Sequence, residues 1–210
     1  MTTKAKCKIC RRLGEKLFLK GERCTSPKCA MVKRAYPPGQ KRKRRAGPPS
    51  EYAKELREKQ KLRNWYNLEE RQFKNYVKEV LRKRGKVKDG SALLIKMLES
   101  RLDNVVFRLG FCPSRAKARQ MVSHGYFLVN GKPMNIPSHQ LKKGDIISLR
   151  PQKTKKKIIK EIKTLLKKHK VPSWLRLDAE KLEGKVTGIP TLEEVSPPVE
   201  ISTIFEFYSR

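Results

Sequence analysis

Acidic residues are scarce in this chain: 20 Asp plus Glu stand against 52 Lys plus Arg over 210 residues, a formal net charge of +32. So much like charge in one fold is unfavourable unless a polyanion neutralises it. Long apolar runs are also missing. None approaches the roughly 20 residues needed to span a bilayer, and the polar, basic first ten residues do not read as a signal peptide. With no amphipathic anchor or lipidation signal either, a membrane surface is the poorer partner and nucleic acid the better one. The chain also lacks the furniture of catalysis. It has no glycine-rich nucleotide loop and no paired-carboxylate motif, and His124, His139 and His169 are scattered without a partnered Cys or acid. A non-catalytic RNA-binding protein is expected, with no membrane association and no homo-oligomer.

What is present falls into segments. Residues 1–45 form a cysteine-bearing unit followed by a Pro/Gly linker (Tyr36, Pro37, Pro38, Gly39, Gln40) and a basic run of Lys41, Arg42, Lys43, Arg44 and Arg45. That run reads as a solvated tail, a targeting signal or an arm lying along RNA; its position between two ordered units favours the arm. Ser50 is a helix N-cap candidate with Glu51 behind it, which suits the helix dipole, and predicts a helix over about 51–66. Phe73, Tyr76, Val77, Val80 and Leu81 step as one apolar helical face, read as core rather than as base-stacking platforms. Ser91 is expected to cap a third helix running to about Leu109, and Ser114 a shorter one ending near Gly125. The period then changes to strands at 126–129 and 146–149, with Asn130-Gly131 a hairpin signal between strands. After a basic cluster at 153–157, an amphipathic helix carries Ile158, Ile159, Ile162, Leu165 and Leu166 and stops at Pro172. Strand-like pieces follow at 174–177, 185–187 and 201–207.

Cys7, Cys10, Cys24 and Cys29 are spaced C-x2-C-x13-C-x4-C. Two thiol pairs across a loop suit a tetrahedral four-thiolate zinc site of structural type. An iron–sulfur cluster is the alternative, and absence of metal the third possibility. Lys8, Arg11 and Arg12 beside the first pair would offset thiolate charge and reach phosphates. Cys112, beside Pro113, reads as a small buried thiol. The richest segment for RNA is the helix start after Ser114, where Arg115, Lys117 and Arg119 project from early turns beside free amides. Asn130 and Lys132 follow on the hairpin. Lys54, Arg57, Lys61 and Arg63 on the earlier helix, and Lys155 and Lys156 in the later cluster, complete the expected RNA-contacting set.

On Ser114, Arg115, Ala118, Arg119, Gln120, Val122, Gly125, Val129-Asn130-Gly131, Pro137-Ser138 and Gly144-Asp145, the chain resembles the small RNA-binding module named after ribosomal protein S-four. The four-cysteine N-terminus, the 36–40 linker, Arg63-Asn64-Trp65-Tyr66 and the terminal Glu206-Phe207-Tyr208-Ser209-Arg210 extend the resemblance over essentially the whole chain. They point to the bacterial-type S-four family in its metal-binding form. The resemblance implies an α+β architecture: a metal-stabilised N-terminal extension (1–45), a mainly helical domain (46–95, completed by about 180–210) and an inserted antiparallel-sheet RNA-binding module (96–179). It further implies a cytoplasmic constituent of the small ribosomal subunit that binds 16S rRNA at a multi-helix junction early in assembly. Neighbours S-five and S-three, the channel through which mRNA enters and an influence on decoding accuracy are implied with it. Two rival classes are a modifying enzyme carrying the same module, which would need a further catalytic domain, and a zinc-finger regulator preferring duplex DNA.

Overall fold

The computed structural model describes residues 5–40, 47–83, 89–153 and 156–209, with residues 153, 156–158, 167 and 168 described by backbone alone. The chain divides into two compact units, one of residues 1–91 and 197–210 and the other of Ala92–Ser196.

The first unit opens with three short helices, α1 (Lys6–Leu13), α2 (Glu22–Thr25) and α3 (Ala30–Lys33). Their shared core is small: Cys10, Leu13 and Leu17 are buried, with Ile9, Leu19, Met31 and Trp65 packed around them. Helix α4 (Glu51–Trp65) starts as expected at Ser50, whose hydroxyl accepts from the Ala53 amide at 3.3 Å. In α5 (Glu70–Arg82), Phe73, Val77 and Val80 are buried along the expected stripe, so the core reading of these residues holds.

The helix expected from Ser91 to Leu109 is two helices, α6 (Gly90–Glu99) and α7 (Leu102–Arg108). Asp89 rather than Ser91 caps the first, its carboxylate accepting from the Ser91 amide at 2.8 Å. The break comes at Arg101, which is extended and bridges to Gln140. The freed amides of Leu102 and Asp103 donate to the carbonyls of His139 and Pro137, at 2.8 and 3.1 Å. A loop distant in sequence therefore supplies the partners that a helix start needs.

Helix α8 (Arg115–Ser123) precedes the hairpin β1 (Phe127–Val129) and β2 (Lys132–Met134). Then come β3 (Ile146–Leu149), α9 (Lys156–Lys168), β4 (Leu175–Asp178), β5 (Glu183–Val186) and α10 (Leu192–Val195). The five strands form one antiparallel sheet in the order β2-β1-β3-β5-β4. Because β5 pairs with both β3 and β4, the stretch beyond 179 belongs to this module, which is compact to Ser196 rather than ending at 179. Its core joins Leu102 and Val105 of α7 and Leu109 at its C-cap, Ala118 and Val122 of α8, Phe127 and Ile147 of the sheet, and Ile162 and Leu166 of α9.

The final helix, α11 (Ile201–Ser209), returns to the first unit. The strand expected over 201–207 is thus a helix. Its β-branched and aromatic residues favour a strand locally, but Ile201, Ile204 and Phe205 are buried at helical spacing, and packing against α4 and α5 overrides propensity. Tyr208 Oη donates to Glu70 Oε1 at 2.8 Å, and Lys59 Nζ lies 4.4 Å from the Phe207 ring centre.

Candidate nucleic-acid interface

Helix α8 begins where Ser114, in extended backbone, turns its hydroxyl to accept from the Lys117 amide at 3.4 Å. No acidic residue occupies the first turn, and Lys117 is exposed. The helix dipole and a solvated ammonium thus meet at one end, which suits an anion.

Its two arginines behave differently. Arg115 and Arg119 have side chains only 10% and 15% exposed. Arg115 Nε donates to Asn104 Oδ1 at 2.8 Å, and its guanidinium lies 4.6 Å from the Phe107 ring centre. The hub of this cluster is Glu99, fully buried, whose carboxylate accepts from Arg108 at 2.9 and 2.8 Å and from Asn104 Nδ2 at 2.6 Å. Arg119 approaches Asp103 at 3.9 Å, and Asp103 is held in a two-point pair by buried Arg101 at 3.0 and 2.7 Å. The two arginines expected to reach RNA thus brace α8 against α6 and α7. Removing one partner of a buried pair leaves the other charge uncompensated, at a cost of about 3–5 kcal/mol. Glu99→Ala is expected to destabilise the chain by about that amount in thermal or urea unfolding, and wild-type stability would contradict this role.

The hairpin follows the same logic. Asn130 and Gly131 both have positive φ, +50° and +77°, as a two-residue primed turn requires. Asn130 Nδ2 donates to Asp145 Oδ1 and its Oδ1 accepts from the Ile146 amide, both at 2.9 Å. Asn130 is therefore spent on pinning the turn to the next strand, and exposed Lys132 is left as the hairpin's cation.

In the helical unit, Lys8, Arg12 and Arg57 are exposed, and among the described residues no ion pair holds them. Arg11 donates to the Tyr36 carbonyl at 2.9 Å and lies 5.0 Å from that ring's centre, so it fastens the linker. Lys54 is exposed and pairs with Glu51 at 2.7 Å. Lys61 is buried between Glu15 and Glu58, 2.7 Å from each. Burial alone would lower its ammonium pKa, but the two carboxylates outweigh it and hold the group above its usual value. Arg63 pairs with Glu70 at 2.7 Å. Lys41, Arg42, Lys43, Arg44, Arg45 and Lys155 lie outside the described residues, and Lys156 is described by backbone alone.

Arg150 was not singled out by sequence. With Ser123, His124, Gly125 and Asn135 it lines an open polar cavity of about 290 Å³ beside the hairpin. A lone arginine after a strand carries no signal of this. Cys112 is 3% exposed, its sulfur 3.3 Å from Met121 Sδ, and burial pushes its thiol up to about 12, as an inert core cysteine requires.

Cys7, Cys10, Cys24 and Cys29 are all free thiols and line one cavity of about 20 Å³ with Lys6, Lys16 and Lys20. Cys10, Cys24 and Cys29 are buried. Burial pushes the Cys10 thiol up, as does the proximity of the other three sulfurs. Among the described residues no three Cys, His, Asp or Glu side chains are already disposed as a ligand set. The donor chemistry nevertheless suits a soft cation: all four cysteines are free thiols that line the same small cavity.

Comparison with known proteins covers both units. Residues 1–99 match the family described as Ribosomal protein S4/S9 N-terminal domain, and residues 100–147 match the S4 domain. The small ribosomal subunit protein uS4 of Thermus thermophilus is 48% identical over 204 residues, covering 97% of this chain and 96% of that protein. The protein of the same name from Syntrophomonas wolfei is 47% identical over 208 residues, 99% of this chain and 98% of its own. That from Natranaerobius thermophilus is 47% identical over 204 residues, 97% of this chain and 96% of its own.

Proposed function

The chain belongs to the uS4 family of small ribosomal subunit proteins, and on that premise we propose that it is a structural, non-enzymatic constituent of the small subunit that binds 16S rRNA. Its place is then the small subunit of cytoplasmic ribosomes. The observation that carries this reading is a net charge of +32 with exposed cations on both units that no ion pair holds among the described residues: Lys8, Arg12 and Arg57 on the helical unit, Lys117 and Lys132 on the module. Lysine and arginine displace counterions from phosphates, while the buried pair at Glu99 and the part-buried pairs at Glu70 tie down the helices that present Lys117 and Arg57. Such a surface recognises the backbone geometry of folded RNA more than its sequence.

The finer parts of the reading rest on family resemblance. The protein binds at a multi-helix junction of the 5′ domain early in assembly, with the basic arm of Lys41, Arg42, Lys43, Arg44 and Arg45 along the RNA. It neighbours S-five and S-three, borders the channel through which mRNA enters and supports decoding accuracy. The four cysteines hold a zinc ion, with an iron–sulfur cluster as the alternative. Bound zinc would cross-link α1 to the α2–α3 segment and leave no open position for chemistry. What supports this is the paired spacing and the presence of all four free thiols in the lining of one small cavity.

The test is direct binding of the purified full chain to a naked 5′-domain fragment of 16S rRNA with no other protein present. A saturable one-to-one complex is expected. Binding that appears only when other small-subunit proteins are added would contradict the early-assembly role.

A further inference from the structure

A second concavity of the module is lined by α8 and α9 and holds about 130 Å³. Lys117, Gln120 and His124 line it from α8 at steps of three and four, so they share one helix face. Its floor is apolar, with Phe111, Met121 and Ile162 contributed from the buried core. Half-buried Tyr126 and, from α9, exposed Glu161 also line it.

This combination differs from the rest of the basic surface. A phosphate would gain nothing from an apolar floor and would be repelled by Glu161. A flat, neutral, aromatic group would bury its faces on the floor and satisfy its edges at the rim. We propose that this groove takes one unstacked nucleobase of the bound RNA, of a kind that carries an exocyclic amino group. Sequence-dependent RNA recognition works on splayed-out bases, held by aromatic and apolar faces and hydrogen-bonded at their edges. Gln120 offers a donor and an acceptor side by side, the pairing that fits the amino and ring-nitrogen edge of adenine. Glu161 accepts only, which selects an amino group over a carbonyl. Lys117, at the start of α8, takes the phosphate that enters with the base. The groove would thus add a base-reading contact to a surface otherwise given to backbone geometry. This inference rests on the proposal that the chain binds 16S rRNA.

The full chain and two surface variants, Gln120→Ala and Glu161→Gln, are titrated with the 5′-domain fragment of 16S rRNA at fixed salt. Thermal unfolding is measured alongside. Each variant is expected to bind roughly 5- to 100-fold more weakly, with an unchanged unfolding midpoint and an unchanged salt slope. Glu161→Gln is the sharper arm. Removing a negative charge tightens RNA binding if the groove meets only phosphate, and weakens it if Glu161 holds an amino group. Dimethyl sulfate is the second readout. One unpaired adenine protected by the wild-type chain should become reactive again with Gln120→Ala. Variants that bind as the wild type does, as they would if a protein segment fills the groove, overturn the inference alone. Tighter binding by Glu161→Gln also overturns it. Failure of the unmodified chain to bind the fragment overturns the RNA-binding reading itself, and this inference falls with it.

Discussion

Removing the zinc proposed for the four cysteines from anaerobically purified protein should unfold residues 5–35 and leave the rest standing. Zinc bound by a four-thiolate site supplies roughly 10–16 kcal/mol of apparent binding free energy to small domains. Here it would act on a segment with little else to hold it. Three buried residues, Cys10, Leu13 and Leu17, make its core, and two of its three helices are four residues long. Isolated helices of that length are unstable in water. The expected composition is one zinc per chain, with amide protection in α1 and α3 lost on adding a chelator. Protection of α4 and α5 should persist, because their core of Leu62, Phe73, Val77 and Ile204 is independent of the cysteines. Replacing any one of Cys7, Cys10, Cys24 or Cys29 by serine should reproduce the loss. Iron with visible absorption would replace zinc by a cluster. Metal-free protein with full protection in α1 and α3 would remove the metal from the account.

Affinity for 16S rRNA should fall by about 10³- to 10⁵-fold between 50 and 200 mM salt, the range for six to ten phosphate contacts. Lys8, Arg12, Arg57, Lys117 and Lys132, all exposed, and the five cations of the arm at 41–45 are the first candidates for those contacts. The surface and internal cations should separate cleanly. Lys117→Ala should lower the salt slope by about one with little change in stability. Arg115→Ala should lower stability and leave the slope nearly unchanged, because its guanidinium is already held by Asn104 and faces Phe107. A full unit of slope lost from Arg115→Ala would return that residue to the RNA surface.

That contrast marks where the sequence was legible. Features fixed by local chemistry were readable: the Ser50 and Ser114 caps, the Phe73–Val77–Val80 stripe, and the Asn130-Gly131 turn, which needs two residues tolerant of positive φ. Features fixed by distant partners were not. The break at Arg101 depends on carbonyls from the loop holding Pro137 and His139. The helix at 201–209 depends on α4 and α5, against its own strand-like composition. The same holds within the site. An arginine on a helix start suits a phosphate and a buried carboxylate equally, and only the fold brings Glu99 and Asp103 to Arg115 and Arg119. Lys61 was read as a surface cation although Glu58 stands three residues before it, because its burial against Glu15 depends on a residue far off in the chain. Charge was therefore an accurate guide to the class of partner and a poorer guide to which cations stay exposed.

The central claim is that the exposed cations are disposed for folded ribosomal RNA rather than for nucleic acid in general. It is tested most directly by measuring affinity for the 5′-domain fragment of 16S rRNA and for a B-form DNA duplex of equal charge, at matched salt. Much tighter binding to the rRNA than to the duplex, a preference that persists while both affinities fall with salt, is the predicted result. Equal affinity, or a preference for the duplex, would contradict it.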